Sequence, residues 1–218
     1  MPEPSRASSN RPQRKTTKTE QNEQQPPNHR RGGPAGDLSS PKETKYTLDY
    51  YLGLAEQIVS HGCHALAIKD MAGLLKPAAA TTLVSALRAR YPDLVIHVHT
   101  HDSAGTAVAT QLAAAAAGAD IVDVAMDAMS GCTSQASMGA VVAALQGSKL
   151  DTGLNLDDVN RMSVFWEQTR GLYSPFESSL RASSADVYYH EMPGGQYTNL
   201  KFQSLSLGAP PACVQEVP

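Results

Sequence analysis

Three histidines fall on alternate positions in Val95-Ile96-His97-Val98-His99-Thr100-His101-Asp102, separated by apolar or β-branched residues. Successive side chains on a strand point to opposite faces, so His97, His99 and His101 share one face while Ile96, Val98 and Thr100 share the other. Two neighbouring imidazoles on one face can grip a single metal ion; the alternative is a strand whose histidines are satisfied by hydrogen bonds. Lys69 closes a second apolar run, His64-Ala65-Leu66-Ala67-Ile68-Lys69, and Asp127 follows a third. An unpaired ammonium is disfavoured at the end of an apolar strand, so Lys69 is expected to be paired with Asp70 or Asp102, deprotonated or modified. If carbon dioxide adds to the neutral amine, the resulting carbamate is an anionic oxygen ligand, which beside two imidazoles suits a hard-to-borderline metal.

These residues need elements to place them. Leu48, Tyr51, Leu52, Ala55, Ile58 and Val59 recur at helical spacing before His61-Gly62 supplies a stop. The run 64–69 then reads as a strand buried on both faces, with Ile68 inward beside the histidine row. Pro77 suits the first turn of a second helix, whose Leu83, Val84 and Leu87 share a face. After the histidine strand (95–101), the alanine-rich stretch 106–117 reads as a closely packed helix stopped by Gly118, and 120–125 as a third strand. Alternating helices and strands imply parallel strands with right-handed crossovers, in an open doubly wound sheet or a closed eightfold barrel. In either, the loops at the carboxyl ends of the strands meet around the site, which gathers Lys69, His101 and Asp127. Further helices are expected over 134–145 and 157–170, the latter with Val159, Met162, Phe165 and Trp166 on an apolar face and Trp166 in the core. The stretch 192–200, Met-Pro-Gly-Gly-Gln-Tyr-Thr-Asn-Leu, is rich in backbone donors that could cradle an anion, but with no matched strand before it the favoured reading is a tight turn.

With 218 residues the chain has room for one ordinary domain and a tail. Residues 1–35 hold almost no large apolar side chain and are rich in Ser, Pro, Gln, Asn, Arg and Lys, which predicts a disordered basic tail. The domain is expected over 36–207, and 208–218 as an irregular terminus. A net charge of −3 argues against a general nucleic-acid binder. No apolar run reaches the roughly 18 residues of a membrane span, and no secretory signal is present, so an intracellular protein is expected. The Arg and Ser of the tail fit a mitochondrial transit peptide, while Glu3, Glu20 and Glu23 oppose it, leaving mitochondrion and cytoplasm both open. Cys63, Cys132 and Cys213 are odd in number and far apart, as expected of idle thiols.

Several stretches together resemble the carboxyltransferase domain of the pyruvate carboxylases. They are Lys45-Tyr46-Thr47-Leu48-Asp49-Tyr50-Tyr51, Ile68-Lys69-Asp70-Met71-Ala72-Gly73-Leu74-Leu75-Lys76-Pro77, and His97-Val98-His99-Thr100-His101-Asp102. The text continues through Gly118-Ala119-Asp120-Ile121-Val122-Asp123-Val124-Ala125, Met129-Ser130-Gly131, Thr133-Ser134-Gln135 and Pro193-Gly194-Gly195-Gln196-Tyr197-Thr198-Asn199-Leu200. The resemblance implies an eightfold α/β barrel, of which the later part is matched here with about three parallel strands. It also implies a metal held by two histidines, a carboxylated lysine and an aspartate. The lysine and histidines fall on Lys69, His99 and His101, and His97 is not carried over as a ligand. The implied reaction moves a carboxyl group from carboxybiotin to pyruvate, giving oxaloacetate, with manganese or zinc polarising the pyruvate carbonyl. Biotin would come from another domain, and no biotin-binding residue is assigned.

By the same resemblance, the family's aspartate ligand and its pyruvate- and biotin-binding arginine and glutamine precede the matched text, where this chain carries its polar tail. The proton-shuttling threonine lies beyond the Pro-Gly-Gly-Gln-Tyr-Thr-Asn stretch, so Thr198 is not that residue. The chain alone is therefore expected to be inactive and to associate, as a homo-oligomer or with other pyruvate carboxylase domains or subunits. The alternatives are an oxaloacetate decarboxylase carboxyltransferase subunit, an acyl-coenzyme A lyase of the same superfamily, and a non-catalytic truncated product that docks on full-length subunits.

Overall fold

Thr47 opens the first helix: its hydroxyl accepts from the Tyr50 N–H at 3.3 Å and caps α1 (Leu48–Ser60). This computed structural model describes residues 38–40, 43–177 and 180–208. The expected tail over 1–35, Cys213 and nearly all of 208–218 lie outside the described residues. After α1 come β1 (Ala65–Asp70), α2 (Pro77–Arg90), β2 (Val95–Thr100) and α3 (Ala107–Ala117). Pro77 sits in the first turn of α2, where its missing N–H leaves no bond unmade. Gly118 ends α3 at φ 108°, a conformation open to glycine.

β1 and β2 are parallel, with partners running from Ala65 opposite Val95 to Asp70 opposite Thr100. β3 (Ile121–Val122) extends this sheet, pairing parallel to His97 and Val98. The expected third strand therefore forms, but it splits. β4 (Val124–Ala125) leaves the sheet and pairs with β5 (Ala136–Ser137) in a second, two-stranded parallel sheet. The break is at Asp123, whose N–H reaches Val98 O at 3.1 Å while its own carbonyl accepts from the buried Gln111 amide at 2.9 Å. A side chain from α3 thus occupies the position that a continuing ladder would fill. β5 shortens the helix expected over 134–145: α4 is Met138–Leu145, with the Ser137 hydroxyl accepting from Ala140 N–H at 3.1 Å.

Ile96, Val98 and Thr100 face the helices and are fully buried with Leu66, Leu83, Val84, Leu87 and Ala114. Each large apolar side chain removed from water there contributes about 1.5–3 kcal/mol. The other face of the sheet, bearing the histidines, is half-open. β1 is accordingly buried on one face and not two: Leu66 is buried, whereas Ala65, Ala67 and Lys69 are exposed. Ile68 lies opposite Val98 and packs against the helix-side core, on the far side from the histidine row. Alternation decides this, since Ile68 and Lys69 are neighbours and cannot share a face.

Beyond the sheets lie α5 (Leu156–Tyr173), α6 (Val187–His190) and α7 (Gly194–Ser206). Of the apolar face expected on α5, Val159 is buried, Trp166 is half-buried, and Met162 and Phe165 are 55% and 60% exposed. The stretch expected to be a tight turn at 192–200 is instead the start of α7, with Pro193 at its N-cap. Pro193 ends the preceding loop with its φ already helix-compatible, and the donors of the two glycines belong to a helical first turn.

Arg88 ties the carboxyl end of α2 to the turn before β3. It donates to the carbonyls of Gly118, Pro92 and Leu94 at 2.7–3.1 Å and pairs with Asp120. Asp120 also accepts from Ile96 N–H at 2.8 Å. That backbone bond, with Arg88 beside it, outweighs burial and holds the Asp120 carboxyl below the usual carboxylate range. A depressed folded-state value means stability that is present above the unfolded carboxylate's titration and lost as pH falls through the folded one. Asp120→Asn should therefore lower the melting temperature at about pH 6, and the gap to the unsubstituted chain should close towards about pH 3. A gap that stays constant across thermal melts in that range would refute the linkage.

Candidate metal centre

The parallel register places Lys69 directly beside His99 on the open face of the sheet. Continued alternation from Ile121, opposite His97, brings Asp123 to the same face. Its carboxylate spans two rings, with Oδ1 2.7 Å from His97 Nε2 and Oδ2 2.7 Å from His99 Nδ1. Burial works to raise the Asp123 value, and the hydrogen bonds of His99 and His97 more than offset it, so its carboxyl sits below the ordinary range. His101, one residue past β2, places Nδ1 2.7 Å from the Thr133 carbonyl oxygen.

The loops that hold these rings are themselves fixed by hydrogen bonds. The Asp70 carboxylate accepts from the N–H groups of Gly73, Leu74 and Leu75 at 2.8–3.0 Å and from the Thr100 hydroxyl at 2.7 Å. It thereby joins the ends of β1 and β2. The Asp102 N–H reaches Ser134 O at 2.7 Å, and Ser134 N–H reaches Gly131 O at 2.9 Å, so the loop carrying Thr133 lies along the end of β2. Gly194, at the start of α7, closes on the same loop. A Cβ there would stand 2.7 Å from Thr133 Cβ, so only glycine permits that approach.

A carbonyl oxygen accepts only, so His101 Nδ1 carries a proton; a carboxylate likewise leaves the proton on His99 Nδ1. In the neutral rings both Nε2 atoms then present lone pairs, and they face each other 3.3 Å apart. The Gln135 amide nitrogen lies a long 3.4 Å from His101 Nε2. Two facing lone pairs repel unless a proton or cation lies between them. Nitrogens each about 2.1 Å from one ion, at tetrahedral or octahedral angles, are about 3.0–3.4 Å apart. The pair therefore fits a divalent ion, with outer hydrogen bonds that fix both rings.

Of the residues the sequence singles out, His99 and His101 come together and Lys69 stands alongside. Lys69 is exposed, and among the described residues it forms no ion pair with Asp70 or Asp102. Both carboxylates bind backbone N–H groups instead, Asp102 accepting from Ala107 at 2.9 Å. The expected pressure on an ammonium in a dry interior is absent, because the described strands leave that face open. Asp127 does not join the site: its carboxylate accepts from the Ser137 hydroxyl at 2.8 Å and Gly139 N–H at 2.7 Å, clamping the start of α4. Among the described residues, no third His, Cys, Asp or Glu completes a metal-holding group. Asp123 is the site residue that the sequence reading missed. Its signal was a lone polar residue among Ile121, Val122, Val124 and Ala125, on the inward alternation. The Thr133 carbonyl has no such signal.

The sequence matches the HMGL-like family over residues 18–165. It is 58% identical over 178 residues to pyruvate carboxylase 1 of Caenorhabditis elegans, covering 81% of this chain and 15% of that protein. It is 57% identical over 175 residues to the mitochondrial pyruvate carboxylase of Homo sapiens, covering 79% of this chain and 15% of that one. Among solved structures, the carboxyl transferase domain of Rhizobium etli pyruvate carboxylase superposes with TM-score 0.77 at 53% identity, covering 80% of this chain and 29% of that one. The same domain with oxamate and biotin gives 0.73 at 55%, covering 75% and 28%. The chain thus spans about 15% of the length of these curated relatives, and its described part shares the barrel fold of the solved carboxyltransferase domain over most of its length. The matched region includes the strands that carry Lys69 and the histidines, and the chain belongs to the HMGL-like family.

Proposed function

We propose that this chain supplies the histidine strand and the lysine of a biotin-dependent carboxyltransferase barrel, which passes a carboxyl group from carboxybiotin to pyruvate. The observation that supports this reading is the His99 and His101 Nε2 pair, 3.3 Å apart with both Nδ1 atoms engaged, beside Lys69. His99, His101 and Lys69 would hold a divalent manganese or zinc ion. When bound, that ion supplies Lewis-acid chemistry, polarising the pyruvate carbonyl so that the methyl group can lose a proton. Lys69 acts as a carbamate: its neutral amine nitrogen bonds to the carbon of carbon dioxide, and one proton leaves to solvent. This turns an exposed side chain into an anionic oxygen donor next to His99. Pyruvate, carboxybiotin and the remaining enzyme domains are the proposed partners, inside the cell in mitochondrion or cytoplasm. No helix among the described residues is long and apolar enough to cross a membrane.

The test replaces the equivalent segment of the Rhizobium etli carboxyltransferase domain with residues 45–207 and follows pyruvate-dependent loss of the carboxyl group from free carboxybiotin. Activity that disappears on His99→Ala/His101→Ala supports the reading. A folded chimera whose activity is indifferent to both histidines and to Lys69→Ala contradicts it.

A second reading, a chain that docks on further subunits, is favoured by the outer edge of β1. Among the described residues nothing pairs with that edge, and a cleft of about 330 Å³ lined by Tyr51, Leu54, Ile58, Leu66 and Ile68 runs along it. An open parallel edge beside apolar side chains favours association. The chain should sediment as an oligomer whose size grows with concentration; a monodisperse monomer with a cooperative melt would contradict this.

A further inference from the structure

The two ring nitrogens that fix the histidine pair are held by different groups. His101 Nδ1 binds a backbone carbonyl, Thr133 O, whereas His99 Nδ1 depends on a side chain, Asp123 Oδ2. We propose that Asp123 is the positioning residue of the centre, which keeps His99 as the Nδ1–H tautomer and so presents its Nε2 lone pair to the ion. This rests on the reading of His99 and His101 as ligands.

Three anchors keep the carboxylate in place. Its second oxygen is 2.7 Å from His97 Nε2, which fixes the plane of the group and gives a role to the one histidine of the row that does not face the pair. Its N–H holds Val98 O at 3.1 Å, in line with the ladder of β2. Its carbonyl takes the amide of Gln111, which is wholly buried and also reaches Val98 O at 3.4 Å. The Gln111 Oε1 is buried without a partner among the described residues, a cost accepted where the amide nitrogen sets the strand break. Gln111 therefore sets where the strand turns, Asp123 sits at the turn, and its carboxylate orients His99. A carboxylate that holds the distal nitrogen of a ligand imidazole also raises the basicity of the nitrogen facing the metal.

Asp123→Ala removes the acceptor of His99 Nδ1 and leaves the Thr133 carbonyl on His101 Nδ1 untouched. Without that acceptor nothing holds the proton on Nδ1, whereas a proton on Nε2 can be donated to His101 Nε2, 3.3 Å away, and there it blocks the lone pair. Long-range proton–nitrogen NMR on the full chain without metal should show His99 and His101 both as Nδ1–H. In Asp123→Ala, His99 should shift to Nε2–H while His101 does not. Manganese and zinc affinity, by calorimetry on the same samples, should fall about 10–100-fold. His99 found as Nε2–H in the unsubstituted chain overturns the proposal without any variant, as does an unchanged tautomer and affinity in folded Asp123→Ala. Should the unsubstituted chain bind neither metal, the ligand reading fails, whereas the metal-free tautomers still decide the role of Asp123.

Discussion

With both His99 and His101 replaced by alanine, the chain should no longer take up manganese or zinc, a loss of more than about 100-fold in affinity, since even removal of an outer-shell partner costs 10–100-fold. The two Nε2 atoms, 3.3 Å apart, are the pair that the rest of the site orients, and Lys69 alone offers one exposed amine. His97→Ala is the informative contrast. Its Nε2 is engaged by Asp123, so its loss should weaken binding and not abolish it. Each alanine also deletes a hydrogen bond, costing about 1 kcal/mol in the metal-free chain, with the Thr133 carbonyl and Asp123 left to water. Thermal melts separate the two effects. An ion at a hundred times its dissociation constant stabilises the folded state by about 2.7 kcal/mol, raising the melting temperature of the unsubstituted chain and leaving that of the double variant unchanged. Equal uptake by the double variant in calorimetry would remove the histidines from the site.

Gly73→Ala should cost about 2–4 kcal/mol and lower the melting temperature by about 5–10 °C. Gly73 is buried at φ 76°, and a Cβ there would stand 2.5 Å from the His101 carbonyl oxygen and 3.2 Å from Ser103 N. Both obstacles are backbone, so no rotamer change relieves them. The remaining escape is displacement of the 71–75 loop, which the Asp70 carboxylate holds through three N–H groups, or of His101 away from Thr133 O. Metal affinity should therefore fall with stability. Gly53→Ala provides the control. That position lies inside α1 with nothing within 4 Å of a new Cβ, and alanine there should add about 0.5–1 kcal/mol. If the two substitutions behave alike in denaturant titrations, close approach at Gly73 is not what the loop depends on.

What the sequence determined by itself is what two short periods can carry. Alternation put His97, His99 and His101 on one face and Ile96, Val98 and Thr100 on the other, as the buried side chains of β2 bear out. Helical spacing and punctuation located α1, α2 and α3 to within a residue or two, because the His61-Gly62 stop, Pro77 and Gly118 act through their own backbone. Alternation also contained Asp123, one inward step past Ile121, although its chemistry shows only when two rings are seen to share it. Tertiary structure decided the rest. That 120–125 divides between two sheets depends on Gln111 reaching over from α3, and that Asp127 clamps α4 and not a metal depends on Ser137 and Gly139 arriving beside it. The proton on His101 is set by the Thr133 carbonyl, a group every residue possesses and which no residue type announces. Lys69 stays exposed for a like reason: burial depends on what packs over a face, and local spacing carries no information about the partners that cover it.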